Sequence, residues 1–454
     1  FMFFLENTYR SLRMLRVPYV ISGSGKTVPE DTGTYPKSAL VTTDTEIESQ
    51  SMVDYLCSCG HKRIAFITSG DEGLGRCHLN GYKRSLEKNG LEYDEKLIIR
   101  LKPGKRIYTI ENGYNCTCEL LKSGVDFSCI YAISDTLAVG ACRAIIDSEK
   151  CVSCGQCMVS CPFGAIADKS QIFQLIRCMK EGGEVIAEIA PAFVGQFGPG
   201  ATPKHVKAAL LELGFSEVVE VALGADIGAV AEAHHYANHV ATGELPFLLT
   251  SCCPAWSMLA KTQFPDLIES VSSELTPMVA TARSIKKEHP NAKVVFIGPC
   301  AAKKLEASRR TVRSDVDFVI TFEELDAMFA AKGIDPNQTE GESSMHDATA
   351  AGRGYACAGG VADAIEKCVH EYYPDVDVKI EHAEGLAECK KMLMLAKAGK
   401  MNGCMIEGMG CPGGCIAGAG TILPIPKAKQ EIEKIKKAST KQLPPKELRE
   451  IELN

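Results

Sequence analysis

Cysteines dominate the chemistry open to this chain. It carries 21 of them in 454 residues, and they are clustered. One run reads Cys151-x2-Cys154-x2-Cys157-x3-Cys161-Pro162. Thiolates two residues apart on a tight loop converge on one face of a cubane, which is 4Fe–4S spacing. Four cysteines this close, ending in Cys-Pro, suit structural zinc poorly. Three further motifs stand apart from that run. They are Thr250-Ser251-Cys252-Cys253-Pro254-Ala255-Trp256, then Gly298-Pro299-Cys300-Ala301-Ala302-Lys303-Lys304, then Glu407-Gly408-Met409-Gly410-Cys411-Pro412-Gly413-Gly414-Cys415. Structural free cysteines do not usually recur beside proline and glycine in three such contexts. The glycines between Cys411 and Cys415 add no side-chain bulk and let backbone approach a cluster closely.

Composition narrows the setting. Hydrophobic residues make up 45% and charged residues 24%, as in ordinary globular protein. A net charge of −7 offers no surface for nucleic acid or anionic membrane. No apolar run reaches the length of a membrane-spanning helix. The opening Phe1-Met2-Phe3-Phe4 is apolar but short, and Glu6 and Arg10 follow it without the marks of a signal peptide. A chain that opens on phenylalanine reads as a fragment or a processed product. Reducing compartments rarely keep structural disulfides. So many clustered cysteines therefore point to a cytoplasmic protein whose thiols bind metal or iron–sulfur clusters.

The elements that must position these residues are those of an α/β protein. Residues 1–147 alternate strands and helices. Arg63–Thr68 is an apolar strand, Arg76–Gly90 has helical periodicity, Cys129–Ile133 is a second strand, and Ser134-Asp135 caps a helix over Thr136–Ile145. Such alternation argues for a parallel sheet. A cysteine-rich segment occupies 148–170. The α/β rhythm returns over 171–425, with strands at Glu184–Ile189, Phe247–Thr250 and Lys293–Ile297. The Cys253 and Cys300 motifs follow two of these strands directly. Ligands gather beyond the carboxyl ends of parallel strands, so the two can meet although distant in sequence. The tail, 426–454, holds a charged amphipathic stretch at Lys427–Lys437 and then Pro444-Pro445, which suits a solvated terminal helix.

The run from Cys151 to Cys161 resembles bacterial 4Fe–4S ferredoxins. In the two-cluster members the fourth cysteine of each run ligates the other cluster. Only one run is present, so three completions stand open: Cys161 itself, Cys178 or Cys142.

The three cysteine motifs together resemble the three signature motifs of the FeFe hydrogenases, over roughly residues 148–425. The resemblance implies two lobes of parallel sheet around a buried H-cluster, a 4Fe–4S cubane joined to a di-iron subsite with CO, CN and dithiolate ligands. Cys253, Cys300, Cys411 and Cys415 would hold the cubane, and Cys415 would bridge to the di-iron subsite. Cys252 would pass protons to that subsite. Lys303 would donate to a cyanide, as a compact ammonium suits a small anion. Met409 and Ala190-Pro191-Ala192 would line the pocket. Taken alone, Lys303 beside Lys304 also reads as a solvated pair, and Met409 as ordinary packing. The implied reaction is 2H⁺ + 2e⁻ ⇌ H₂. Ferredoxin would be the electron partner, and di-iron maturation proteins would load the site. Relatives that serve redox sensing or cluster assembly keep the ligands but lack the proton-relay cysteine.

Several positions depart from the family pattern. The outward proton path falls on Glu232, Ser272 and His235, and the last stands where a second glutamate is usual. His235 can relay protons, its ordinary pKa being near 6.5, or it is a surface helix histidine beside His234. Gly298 replaces a methionine and Met278 a glutamine, which fits the group B branch. Residues 59–145 resemble part of a Lac-repressor-type sensor domain, through Gly60–Ile67, Arg76 with Gly81-Tyr82, and Ala132–Ala141. There Arg76 and Asp135 match effector contacts. The helix-turn-helix, most of the first lobe and the last strands have no counterpart, so a truncated remnant or an artefactual fusion to a hydrogenase is expected.

Overall fold

Apolar strands alternating with helices build parallel sheets throughout. The computed structural model describes residues 19–24 and 38–454 except 103–106, 149–150, 162–165, 342, 344, 346–347, 452 and 454. The apolar opening and Pro162 therefore lie outside the described residues. The chain divides into two units, residues 1–149 and 150–454.

In the first unit, β1 (Tyr19–Ser24) and β2 (Ser38–Thr43) pair in parallel. Strands β3 (Ile64–Thr68), β4 (Ile98–Arg100) and β5 (Cys129–Ala132) form a second parallel sheet in the order β4-β3-β5. Helices α1 (Thr45–Ser58), α2 (Gly73–Lys88), α3 (Ile110–Ser123) and α4 (Asp135–Asp147) connect them. Ser134 caps α4 by accepting from the Leu137 amide. Phe66 stacks between Tyr82 and Tyr131 at 5.0 and 4.8 Å. Arg76 and Asp135 are both exposed.

In the second unit, β6 (Val185–Ile189), β7 (Glu217–Glu220), β8 (Leu248–Leu249), β9 (Lys293–Gly298), β10 (Phe318–Thr321), β11 (Lys379–Glu384) and β12 (Cys404–Met409) make two sheets. Their orders are β10-β9-β6-β7 and β11-β12-β8, and every pair is parallel. Strands β6 and β12 are buried along their whole length, the mark of a sheet covered on both faces. The helices that matter for the site are α5 (Ala222–His235), α6 (Pro254–Gln263), α7 (Pro277–Glu288), α8 (Ala301–Ala307), α9 (Ala350–Gly354) and α10 (Gly360–Tyr372). A π-helical turn, Tyr236–Val240, extends α5. The charged tail forms α11 (Ile425–Ala438), which buries Ala428 and Ile432 against the first sheet.

Two buried anchors fix the walls between the sheets. The Arg353 guanidinium of α9 makes two hydrogen bonds to Glu220 at the end of β7, at 2.9 and 2.7 Å, and donates to the Ser439 hydroxyl at 2.8 Å. The Glu407 carboxylate of β12 accepts the amides of Gly359 and Ala362 at 2.8 Å each, and so seats the start of α10. Among the described residues, no helix is long and apolar enough to cross a membrane.

Candidate active site

The cysteine motifs lie where the strands end. Cys253 follows β8 and is the N-cap of α6; Cys300 follows β9 and is the N-cap of α8. Cys411 and Cys415 follow β12 on the turn through Gly413 and Gly414. One cavity, about 760 Å³ of space free of protein atoms, is lined by Cys252, Cys253, Cys300, Cys411 and Cys415 together. Lys303, Met409 and Ala190, Pro191 and Ala192 line it too. The rest of its wall is almost wholly apolar.

The donor set fits a polynuclear iron–sulfur cluster. Four thiol-bearing residues line one space, and no group of three or more among the described residues is placed to chelate a single ion. The Gly410 amide donates to the Cys253 sulfur at 3.3 Å. Backbone amides of Ala302 and Lys303 point at Cys300. Burial pushes the Cys300 thiol up to about 11, and it pushes Cys411 and Cys415 up further, with neighbouring thiols adding to the rise. Such thiols give up their protons to a metal, not to water. Here Gly413 and Gly414 do something the sequence did not suggest. Both have left-handed backbone, with φ of 93° and 89°, and a Cβ on Gly414 would fall 2.3 Å from the Ala358 amide nitrogen. The Gly-Gly pair lets the ligand loop pack on the segment that leads into α10, besides leaving room at the cluster.

Cys252 is walled in by protein, and the surface it keeps faces the cavity. Burial pushes its thiol well up, and the charges of Glu232 and Cys253 push the same way. Lys303 donates to the Cys252 carbonyl at 3.3 Å and pairs with Glu306 at 2.7 Å. Burial opposes its charge, but the Glu306 carboxylate outweighs that and holds its pKa above the ordinary lysine range. It is therefore a buried cation rather than a solvated lysine. Lys304 points elsewhere, to Asp168 and Glu324.

Behind Cys252 lies Glu232 on α5, only 4% exposed. Burial lifts its carboxyl to about 7, despite hydrogen bonds from Ser272 and the Ser251 amide; Glu274 adds to the lift. The Ser272 hydroxyl also accepts the Glu274 amide at 3.2 Å. His235 is half-buried and lies edge-on to His239, their ring centroids 4.9 Å apart. Burial, then His239, lowers its pKa.

Other groups at the site gave no motif. Glu306 stands three residues after Lys303 on α8, a spacing that signals an ion pair. Glu188 of β6 is fully buried, close enough to Lys303 and Glu306 to feel both charges, and burial holds its carboxyl well up. Tyr355 and Phe296 also line the cavity. Phe296 explains Gly298: a Cβ there would lie 2.5 Å from the Phe296 ring, which occupies the space a larger side chain at 298 would need. Alternate residues of a strand share a face, so the pair was readable in principle.

The ferredoxin-type segment packs in the same unit. Cys157 lies within reach of the charges of Cys151 and Cys161, while Cys154 feels Cys151, Cys157 and Cys253. Gln156 reaches the Cys411 sulfur at 4.0 Å. The Ser153 amide donates to the Cys151 sulfur at 3.4 Å, and Ser153 takes a left-handed φ of 54° to do so. Cys178 packs instead against the first sheet and lies near Lys293. Cys142 belongs to the first unit.

The chain belongs to the iron-only hydrogenase family. The model for the iron-only hydrogenase large subunit, C-terminal domain, matches residues 183–419, and that for a 4Fe-4S binding domain matches 144–167. The NADP-reducing hydrogenase subunit HndD of Solidesulfovibrio fructosivorans is 29% identical over 327 residues, covering 60% of this chain and 55% of that protein. The chain thus spans about half the length of that relative. A probable cytosolic Fe-S cluster assembly factor of Aedes aegypti is 24% identical over 344 residues, 60% of this chain and 71% of the relative. A solved FeFe hydrogenase of Chlamydomonas reinhardtii superposes with a TM-score of 0.53 at 23% identity, over 62% of this chain and 93% of the other; the likeness is one of fold. The N-terminal unit is similar to the HTH-type transcriptional regulator CelR of Thermobifida fusca, 31% identical over 130 residues, 28% of this chain and 35% of the regulator.

Proposed function

We propose that this chain catalyses 2H⁺ + 2e⁻ ⇌ H₂, with ferredoxin as electron partner, at an H-cluster held by Cys253, Cys300, Cys411 and Cys415. The observation that carries the reading is Cys252. It stands at the cavity beside the four thiols, backed by the buried carboxyl of Glu232. The bound group would supply the electrons and the open metal site. The chain's own residues do the rest. Lys303, fixed by Glu306, presents a positive charge to an anionic ligand. The apolar wall of Ala190, Pro191, Ala192, Met278 and Met409 excludes water. Cys252 and Glu232 hold and move a proton, and the carboxyl, pushed up to about 7, can both take and give one near neutral pH. The outward leg runs through Ser272 and on to His235. Cys151, Cys154, Cys157 and Cys161 would hold a second 4Fe–4S cluster and pass electrons inward; Cys154, which feels the charge of Cys253, and Gln156, which reaches the Cys411 sulfur, support that reading.

A second reading, a cluster-assembly or redox-sensing protein without hydrogen turnover, draws on the likeness to the Aedes aegypti assembly factor. Both readings are tested by one experiment. The chain is loaded with iron, sulfide and a synthetic di-iron cofactor, and hydrogen evolution is followed beside Cys252→Ala. The first reading expects turnover that the variant loses while keeping its iron. A wild-type chain without cyanide and carbonyl infrared bands and without turnover sinks it and leaves the second.

A further inference from the structure

One polar group at the cavity is left over by everything above. Tyr355 follows α9 and its ring packs in the core between α5, α10 and β12. Its hydroxyl is buried and has no hydrogen-bond partner among the described residues. Yet the residue lines the cavity, close enough to Glu232 and Cys252 to feel their charges. An unpaired buried hydroxyl costs free energy, and buried tyrosines usually find a partner. The surrounding charges are those of Glu232, Cys252, Cys368 and Asp226. All of these favour the phenol over the phenolate, so the group is a donor. Asp226 is already engaged by Thr349, through its amide and its hydroxyl. Tyr355 lines the cavity, so a group held there is the acceptor still open to the hydroxyl.

We propose that the Tyr355 hydroxyl donates a hydrogen bond to the group held in this cavity, on the side of Cys252. The acceptor is a lone pair on an inorganic ligand, either a diatomic or dithiolate ligand of a di-iron unit or a sulfur of the cubane. The proposal rests on the cavity's being a cluster site. The geometry favours the di-iron unit, because Tyr355 stands with the proton-handling pair Cys252 and Glu232.

The test compares wild type with Tyr355→Phe, which keeps the ring and its packing, in the full chain. Three forms are melted: cluster-free, reconstituted with iron and sulfide alone, and further loaded with the synthetic di-iron cofactor. In the cluster-free form the variant melts a few degrees higher, because an unsatisfied hydroxyl is gone. That advantage disappears or reverses in the form that supplies the acceptor. Loss on iron and sulfide alone assigns the acceptor to the cubane. Loss only with the di-iron cofactor assigns it to that unit, and the cyanide and carbonyl infrared bands then shift between wild type and variant. An equal advantage in all forms, or none in the cluster-free form, overturns the proposal. Failure of the hydrogen reading shows separately, as wild-type chain without cyanide and carbonyl bands. The cluster-free and iron–sulfide melts decide the Tyr355 question in that event.

Discussion

Replacing Glu232 by glutamine tests the electrostatics of the proton path without any cluster. The carboxyl is raised from the ordinary 4.5 to about 7, chiefly by burial, with Glu274 adding to the lift. At about 1.4 kcal/mol per tenfold change in proton affinity, that amounts to about 3 kcal/mol. The folded chain keeps this proton after the unfolded chain has released it. Stability from this group is thus full below pH 4.5, falls as pH rises towards about 7, and stays low above. Glutamine keeps the hydrogen bonds with Ser272 and Ser251 but has no proton to lose. Trp256 is the only tryptophan in the chain and is fully buried in the second unit, so its fluorescence reports on that unit alone. Urea unfolding of the cluster-free chain, followed by that signal, should show the wild type losing about 2–3 kcal/mol more than Glu232→Gln between pH 5 and pH 8. Glu188 and Asp226 also titrate in the folded state, but they are common to both chains and cancel. Equal pH dependence in the two chains would refute the reasoning.

Four other outcomes can be checked. Glu274→Gln removes a negative charge that lifts Glu232, so the Glu232 protonation midpoint, read from its carboxyl infrared band in cluster-free chain, should fall. Arg353→Met strands the buried Glu220 carboxylate and should cost about 3–5 kcal/mol in the same fluorescence assay, whereas the double variant with Glu220→Leu should recover most of it. Cys161→Ser should bind one four-iron cluster fewer after reconstitution and Cys178→Ser should bind as much as wild type, by iron and sulfide analysis. Gly408→Ala places a Cβ 2.0 Å from the Trp256 ring and should lower stability by about 1–3 kcal/mol, read as an earlier urea midpoint.

Much of the site was readable because ligand chemistry is local. Positions directly after apolar strands marked Cys253 and Cys300, the resemblance of the three motifs to the FeFe hydrogenases added Cys411 and Cys415, and a parallel sheet gathers such positions at one end. Strand ends were readable to within a residue or two; Phe247–Thr250 shortens by one residue at each end to Leu248–Leu249, with the Thr250 amide still donating to the Ile406 carbonyl. Groups brought in from far along the chain were not readable. Tyr355 follows a short helix with no motif, and Glu188 sits in a strand whose other residues are apolar. Glu274 matters because a hydroxyl two residues earlier faces a carboxylate on another helix. None of these has a spacing that sequence could display. The same holds for Gly414, which can carry no side chain because of Ala358, 56 residues earlier in the chain.

The four thiols also have a mechanical meaning. Cys253 and Cys411 belong to strand ends of one sheet and Cys300 to a strand end of the other. A cluster bound to all of them is a crosslink with four arms, closing loops far longer than most disulfides close. Like a disulfide, it would restrict the unfolded chain more than the folded one. Filling the cavity would then add a tie between the two sheets beyond those that the protein's own side chains make.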